Sequence, residues 1–340
     1  MRKSVCALAV AVGLVVTGPV GVAVAEGPES FTIEDSRIVE SSGLAASSTH
    51  KGIYWTHNDS GYAPNVYAVD SKTGKTVATI SLSGIEGRDL EAISMGPDGD
   101  IYVGDIGDNL GGNWPEVWIY RFAEPKELRD QTIQPTRYTV RYADGPRDAE
   151  SLAVHPTTGR VYIVGKNEDG DGLYAGPEEL SSSGVNTFQR VAGIDLWATD
   201  AAFSPDGSRL AVRGYFGGIM YAWKDGKPKR IGRLSVPIQR QGESMTFTPD
   251  GRTLMYGSEG ERSEVRPVEL SGEQLPVSVA EPEEKETEGE KGAGGPGKSG
   301  GSGGDAPGSG QESNLVLGGV VFAVAAGAWM GLRRLFRRRD

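Results

Sequence analysis

Glu91-Ala92-Ile93-Ser94-Met95-Gly96-Pro97-Asp98-Gly99-Asp100-Ile101-Tyr102-Val103-Gly104-Asp105 is the stretch that decides the fold. It reads as a carboxylate, a short apolar strand, a turn ending in Gly, and a second apolar strand. Pro presets φ and Gly accepts the left-handed conformation, so the turn closes a β-hairpin. The same unit recurs as Ser42-Gly43-Leu44 to Trp55, Glu150-Ser151-Leu152 to Val164, Asp200-Ala201-Ala202-Phe203 to Val212 and Glu243-Ser244-Met245 to Tyr256. The corresponding turns are Thr49-His50-Lys51-Gly52, Pro156-Thr157-Thr158-Gly159, Pro205-Asp206-Gly207 and Pro249-Asp250-Gly251.

The leading positions 42, 91, 150, 200 and 243 lie 49, 59, 50 and 43 residues apart, room for four strands each. In the second interval these are Ala92–Met95, Ile101–Gly104, Val117–Phe122 and Arg137–Tyr142. Four-stranded, WD40-like units at this period predict an all-β, five-bladed β-propeller. The last unit shows only three strands, Met245–Thr248, Thr253–Gly257 and Glu264–Leu270. Phe31–Val39 is otherwise unassigned and is expected to supply the fourth, closing the ring and removing its open edges. Leu275–Ala280 competes for that place.

The ends indicate a compartment. Residues 1–25 read as a signal peptide: Arg2 and Lys3, the apolar run Val5 to Val16, and Ala23-Val24-Ala25 before Glu26. Residues 26–280 form the propeller domain. Residues 281–313 are a linker, acidic from Glu281 to Glu290 and then rich in Gly, Ser and Pro, a composition that buries too little apolar surface to fold. At 5–6 Å × √n its root-mean-square span is about 30 Å. Residues 314–332 read as a single transmembrane helix: the uncharged run Leu315 to Leu332 rises roughly 27 Å at 1.5 Å per residue. Residues 333–340 are a tail with five Arg, which stays on the cytoplasmic side. The expectation is a single-pass cell-membrane protein with its N-terminus outside and its C-terminus cytoplasmic. A sortase-type anchor would need an LPxTG-like motif, to which only Leu275-Pro276-Val277-Ser278 bears any similarity.

Between leader and tail, 28 basic residues face 45 acidic ones. A balance this acidic argues against nucleic-acid binding, which needs a basic face. The one Cys, Cys6, falls in the leader, so the mature chain has no disulfide, Cys-ligated metal or Cys nucleophile.

The first strand of each propeller blade lines the axis, and its start emerges on the same face as the end of the second strand. This gathers an inner ring of Ser42, Glu91, Glu150, Asp200 and Glu243. An outer set comprises His57, Asn58, Asp59, Asp105, Asp108, Asn109, Lys166, Asn167, Arg213, Tyr215, Ser258 and Glu259. Four carboxylates on one channel raise each other's pKa unless a cation intervenes. An all-oxygen donor set suits Ca²⁺, which takes 6–8 oxygens. Asp89 and Asp148, two residues before Glu91 and Glu150, point to the same side in extended chain and add outer ligands. An alternative is an Arg–carboxylate network, because Arg37, Arg88, Arg147 and Arg240 stand three residues before Glu40, Glu91, Glu150 and Glu243.

Ser42-Gly43-Leu44 with Glu91, Glu150 and Glu243, and Tyr102-Val103-Gly104-Asp105-Ile106-Gly107 after the second of these, resemble the calcium-activated nucleotidase (apyrase) family. The resemblance implies a five-bladed propeller with one axial Ca²⁺ held by Ser and Glu side chains at these positions. Asp200 departs from it, since a Ser-like ligand is expected there. Glu40-Ser41-Ser42-Gly43-Leu44, His57-Asn58-Asp59-Ser60-Gly61 and Gly104-Asp105-Ile106-Gly107-Asp108-Asn109 also resemble uncharacterised secreted propellers of actinobacteria.

Two functions compete. One is a surface-tethered binding or scaffold module with an axial Ca²⁺, its outer set (Asn58, Asp105, Asp108, Asn109, Asn167, Tyr215, Glu259) facing a protein or small-molecule ligand. The other is a Ca²⁺-dependent hydrolase of nucleotides or other phosphate or ester substrates. There His57 or Asp59 is the base and Lys166 and Arg213 counter developing negative charge. His155 is expected to be solvated beside its turn, and Trp55, Trp118, Trp197 and Trp223 to pack between blades.

Overall fold

The computed structural model describes residues 27–109 and 111–280. The leader, the linker, the apolar run and the Arg-rich tail lie outside the described residues, and no helix among the described residues is long and apolar enough to cross a membrane. The only helix described is a single 3₁₀ turn, Gly272–Gln274.

Strand β1 (Phe31–Thr32) is followed by a first antiparallel set: β2 (Ser41–Ala46), β3 (Ile53–Asn58), β4 (Asn65–Asp70) and β5 (Thr76–Leu82). The second comprises β6 (Leu90–Met95), β7 (Asp100–Asp105), β8 (Val117–Ala123) and, after the short β9 (Gln131–Ile133), β10 (Thr136–Tyr142). The third comprises β11 (Ala149–Val154), β12 (Val161–Gly165), β13 (Asp171–Ala175) and β14 (Val185–Ile194). The fourth comprises β15 (Ala198–Phe203), β16 (Arg209–Gly214), β17 (Gly218–Lys224) and β18 (Lys227–Leu234). The last has β19 (Gly242–Phe247), β20 (Thr253–Ser258) and β21 (Glu264–Glu269), and its fourth member is β1, with Phe31 opposite Val265. Leu275–Ala280 contributes no strand.

The turn chemistry is as the repeat predicts. Gly52, Gly99, Gly159, Gly207 and Gly251 all take φ between 69° and 79°, the left-handed region that a Cβ disfavours. Asp206 and Asp250 fold their carboxylates back to accept Ser208 N–H (2.9 Å) and Arg252 N–H (3.1 Å), the self-bonding that makes Asp a turn residue.

Two pairings depart from separate four-stranded sets. β9 adds to β5 in parallel, and β10 pairs in parallel with β14, joining the second and third sets into one eight-stranded sheet. The outermost strands meet there edge to edge, with Asn186 Nδ2 donating to Thr139 O at 3.0 Å across the join.

The inner strands neighbour one another in the order β2, β6, β11, β15, β19 and back to β2. Apolar clusters fill each space between successive sets. Trp55 and Ile80 meet Leu90 and Ile101; Ile119 and Val140 meet Leu152 and Ile163; Tyr162 and Leu173 meet Leu210 and Ile219. Met220 and Leu234 meet Met245 and Tyr256, and Val265 and Phe31 return to Leu44 and Tyr54. The architecture is all-β and propeller-like, and its cyclic packing brings the starts of the inner strands to a common centre.

Candidate functional site

Each inner strand slips register with its partner at its start. The slip leaves one residue between Ser41 and Gly43, between Leu90 and Ala92, between Ala149 and Ser151 and between Ala198 and Asp200, and sets Glu243 and Ser244 against Gly257 between Gly242 and Met245. A β-bulge re-aims a side chain out of the ladder. The residues at these bulges are Ser42, Glu91, Glu150, Thr199 and Glu243. In the fourth set the bulged residue is Thr199, whose Oγ1 donates to Gly242 O at 3.3 Å, one residue before the Asp200 expected from sequence. Asp200 instead accepts Ala201 N–H at 2.7 Å and Met245 N–H at 2.6 Å. Burial pushes its carboxyl well above the usual carboxylate range. A sequence signal for Thr199 exists: Glu91, Thr199 and Glu243 each stand eight residues before the Gly of their Pro-Asp-Gly turn.

Around the ring the acids are crowded. Ser42 Oγ donates to Glu91 Oε2 at 2.9 Å. Asp59, Asp89 and Glu91 each offer a carboxylate oxygen within 4.8 Å of the others. Asn109 Nδ2 donates to Asp89 Oδ2 at 3.3 Å, and Asp148 Oδ1 accepts Asp108 N–H at 2.9 Å. Burial and then the neighbouring Asp59 charge push Asp89 up to about 7. The same two causes push Glu91 well above its ordinary value. Glu259 is pushed up to about 9, by burial and then the Glu243 charge, and burial also raises Glu243 and Asp148. One cation is already present: Lys166 Nζ pairs with Glu150 Oε1, and both side chains are only 7% exposed.

The outer set divides. Asp59, Asn109, Lys166 and Glu259 reach the acidic centre. Tyr215 lies 5.6 Å from the Lys166 ammonium, ring centroid to Nζ. The others hold the frame. Asn58 Oδ1 accepts Val39 and Glu40 N–H, while Asp105 accepts Arg88 N–H, Asp89 N–H and the Tyr120 hydroxyl. Asp108 Oδ2 accepts Trp114 N–H at 2.5 Å, and Asn167 caps its own exposed turn through Asp169 N–H. Ser258 is buried at the end of β20, opposite Gly242. His57 is fully buried with Nδ1 against Asn58 O at 3.0 Å, and burial holds its imidazole below the ordinary value, neutral. A Cβ on Gly43 would lie 2.7 Å from His57 Nε2, so the inner strand covers the ring. Arg213 is equally enclosed, with Nη1 donating to Ser244 O (2.8 Å) and Gly257 O (3.0 Å).

The Arg–carboxylate network takes another form. Arg37 pairs with Asp35, Arg147 with Asp144 and Asp171, and Arg88 stacks 3.5 Å above Trp118. Arg240 is exposed. His155 is half-buried rather than simply solvated: its Nδ1 accepts Thr157 and Thr158 N–H, and its ring meets Phe203 edge-on at 4.9 Å. Trp55, Trp118 and Trp223 join the inter-sheet clusters, whereas Trp197 lines a lateral cavity.

The donor set fits a hard divalent cation: carboxylates and hydroxyls without sulfur, acids whose ionisation is suppressed by burial and mutual repulsion, and unpartnered oxygens on Asp89 (Oδ1) and Glu150 (Oε2). Gly107 closes the cradle. A Cβ there would lie 2.5 Å from Asp89 Oδ2 and 2.8 Å from Glu91 Cγ.

No family model and no curated protein matches the chain. Solved structures similar in fold include a chain of the mitotic checkpoint complex, at 12% identity and TM-score 0.39, with 67% of this chain and 61% of that one covered. A putative 6-phosphogluconolactonase from Bacteroides uniformis gives 10%, 0.39 and 69% of each chain. The soluble aldose sugar dehydrogenase of Escherichia coli gives 13% and 0.45, with 71% of this chain and 99% of that one covered.

Proposed function

We propose that the chain is a five-bladed propeller that holds a divalent cation, Ca²⁺, at its axis and serves as a cell-surface binding module. The observation that carries this reading is the bulge at the start of every inner strand, which places Ser42, Glu91, Glu150, Thr199 and Glu243 at equivalent positions. These residues would hold the ion, with Asp59 and Asp89 beside them. The ion would supply the charge that lets the ring acids ionise together. The resemblance to calcium-activated nucleotidases supports the same ring. The uncharged run Leu315–Leu332 and the Arg tail support tethering by a single membrane helix, with the domain outside behind the 1–25 leader. The ligand would be a protein or small molecule meeting the face on which Asp59, Asn109 and Glu259 gather.

The test is a melt of the purified full-length chain in detergent, with chelator and then with Ca²⁺ or Mg²⁺ restored. A ligand at about 100 times its Kd adds about 2.7 kcal/mol, so a large Ca²⁺-specific rise is expected. No shift with either ion rejects the site. Glu91→Gln with Glu150→Gln should remove bound Ca²⁺ by elemental analysis; wild-type stoichiometry would place the ion elsewhere.

A hydrolase is the second reading, favoured by one observation: Asp59 and Lys166 both reach the acidic centre. Asp59 would then be the base and Lys166 the counter to developing negative charge. His57 and Arg213 are spent inside the sheets. Turnover of phosphate monoesters or pyrophosphates that Asp59→Asn abolishes, with Ca²⁺ retained, would establish it.

A further inference from the structure

The fourth set carries a cavity of about 340 Å³ on its flank, where β18 and the β16–β17 turn meet the segment before β15. Its volume is in the range of small-molecule sites. Trp197 and Tyr215 line it as an edge-to-face pair in contact with each other, with centroids 5.0 Å apart. Phe216, beside Tyr215 at 6.3 Å, is 66% exposed.

Two guanidinium groups line the same cavity, Arg230 and Arg233, against one carboxylate, Asp195. Three residues apart on a regular strand, they would face opposite sides. Here β18 slips by one residue between Gly232 and Arg230, so Arg230 lies opposite Tyr221 and Arg233 opposite Ile219. Tyr221 and Ile219 belong to one apolar cluster, so the slip turns both arginines to one side. In a body with 28 basic and 45 acidic residues, the run from Lys224 to Arg233 holds five cations and one acid, Asp225. That concentration focuses an anion-attracting field on this flank.

We propose that this cavity binds a small organic anion consisting of a flat ring bearing a carboxylate or phosphate. The aromatic trio takes the ring by stacking or edge contact, and the paired guanidinium groups take the oxyanion, for which their planar fork is suited. The cavity opens on the flank, and Tyr215 is the wall it shares with the axial ring, 5.6 Å from the Lys166 ammonium.

Gly217 provides the clean test. It lines the cavity, takes no left-handed φ, and a Cβ there meets nothing within 4 Å. Gly217→Leu therefore adds bulk at the cavity wall without straining the turn. Titration calorimetry on the full-length chain would use benzoate and phenyl phosphate as ring anions, acetate and inorganic phosphate as anions without a ring, and benzyl alcohol as a ring without charge. At least one ring anion should bind tenfold or more tighter than both of its halves, and which one binds identifies the oxyanion. Gly217→Leu should abolish that binding, and Arg230→Gln with Arg233→Gln should weaken it at least tenfold. Ring anions that bind no tighter than benzyl alcohol, or that bind Gly217→Leu like the wild type, would overturn the proposal.

Discussion

Thr199 and Asp200 are adjacent, and both reach the neighbouring set: Thr199 Oγ1 donates to Gly242 O at 3.3 Å, and Asp200 accepts Met245 N–H at 2.6 Å. Reading the acid as the ligand follows from chemistry alone, because carboxylates are the stronger donors. The register slip that puts Thr199 at the bulge is a property of two strands together, and its trace in sequence is the eight-residue spacing to the turn Gly that the three Pro-Asp-Gly units share. The two roles separate by mutation. Thr199→Val should weaken Ca²⁺ binding by about tenfold, which is about 1.4 kcal/mol, with little change in the apo melting temperature. Asp200→Asn should leave Ca²⁺ binding near normal and destabilise the fold by about 1–3 kcal/mol, because an amide cannot accept both backbone N–H bonds. Calorimetric titration and chemical denaturation measure the two; a reversed pattern returns the ligand role to Asp200. Gly107→Ala should do both kinds of damage. Its Cβ collides with Asp89 and Glu91, and overpacking of this kind costs typically about 1–3 kcal/mol. An Ala variant that melts and binds Ca²⁺ like the wild type would show that the cradle relaxes freely.

At the scale of elements, the hairpins were legible because each is specified locally by short apolar strands and a turn ending in Gly. The strands expected in the second interval, Ala92–Met95, Ile101–Gly104, Val117–Phe122 and Arg137–Tyr142, fall inside β6, β7, β8 and β10. β9 and the β10–β14 join were not legible. Parallel pairing of outer edges depends on where whole sheets come to rest, and strand preference is largely set by such context. The pairing of β1 with β21 lies between these cases: a spare strand in the first residues and a missing one in the last set implied it, and Phe31 opposite Val265 is the result. Deleting residues 26–40 should therefore abolish cooperative thermal unfolding, since it strips β21 of its partner and opens the cluster of Phe31, Ile33 and Ile38. Unchanged melting of the deletion variant would mean that β21 tolerates an open edge.

For the molecule as a whole, the acidic centre sets a pH dependence with a definite sign. Asp89 and Glu259 bind protons more tightly folded, at about 7 and about 9, than unfolded, near the usual carboxylate values of 3.8 and 4.5. The stability they contribute is full below those unfolded values and is lost as pH rises through about 7 and then about 9. The chelated protein should thus melt at progressively lower temperature from pH 5 to pH 9. With saturating Ca²⁺ the decline should flatten, because a cation favours the ionised form, and Ca²⁺ should bind more tightly at higher pH. A chelated protein that gains stability over that range would contradict the burial of these acids. The site was legible only in outline, for the same reason. Repeats show which acids converge, but the lone Lys166 among them and the walls around His57 and Arg213 arise from tertiary packing.

The seam between β1 and β21 also governs how the chain must fold. Phe31 has to wait for Val265, and closing a loop of that length costs about 5 kcal/mol by the logarithmic law, before the constant term. Contacts so distant in sequence make for slow folding. Any product truncated before β21 is left with two unpaired strand edges, the hallmark of an aggregating sheet. The seam makes completion an all-or-nothing event and turns an interrupted translation into a substrate for proteolysis.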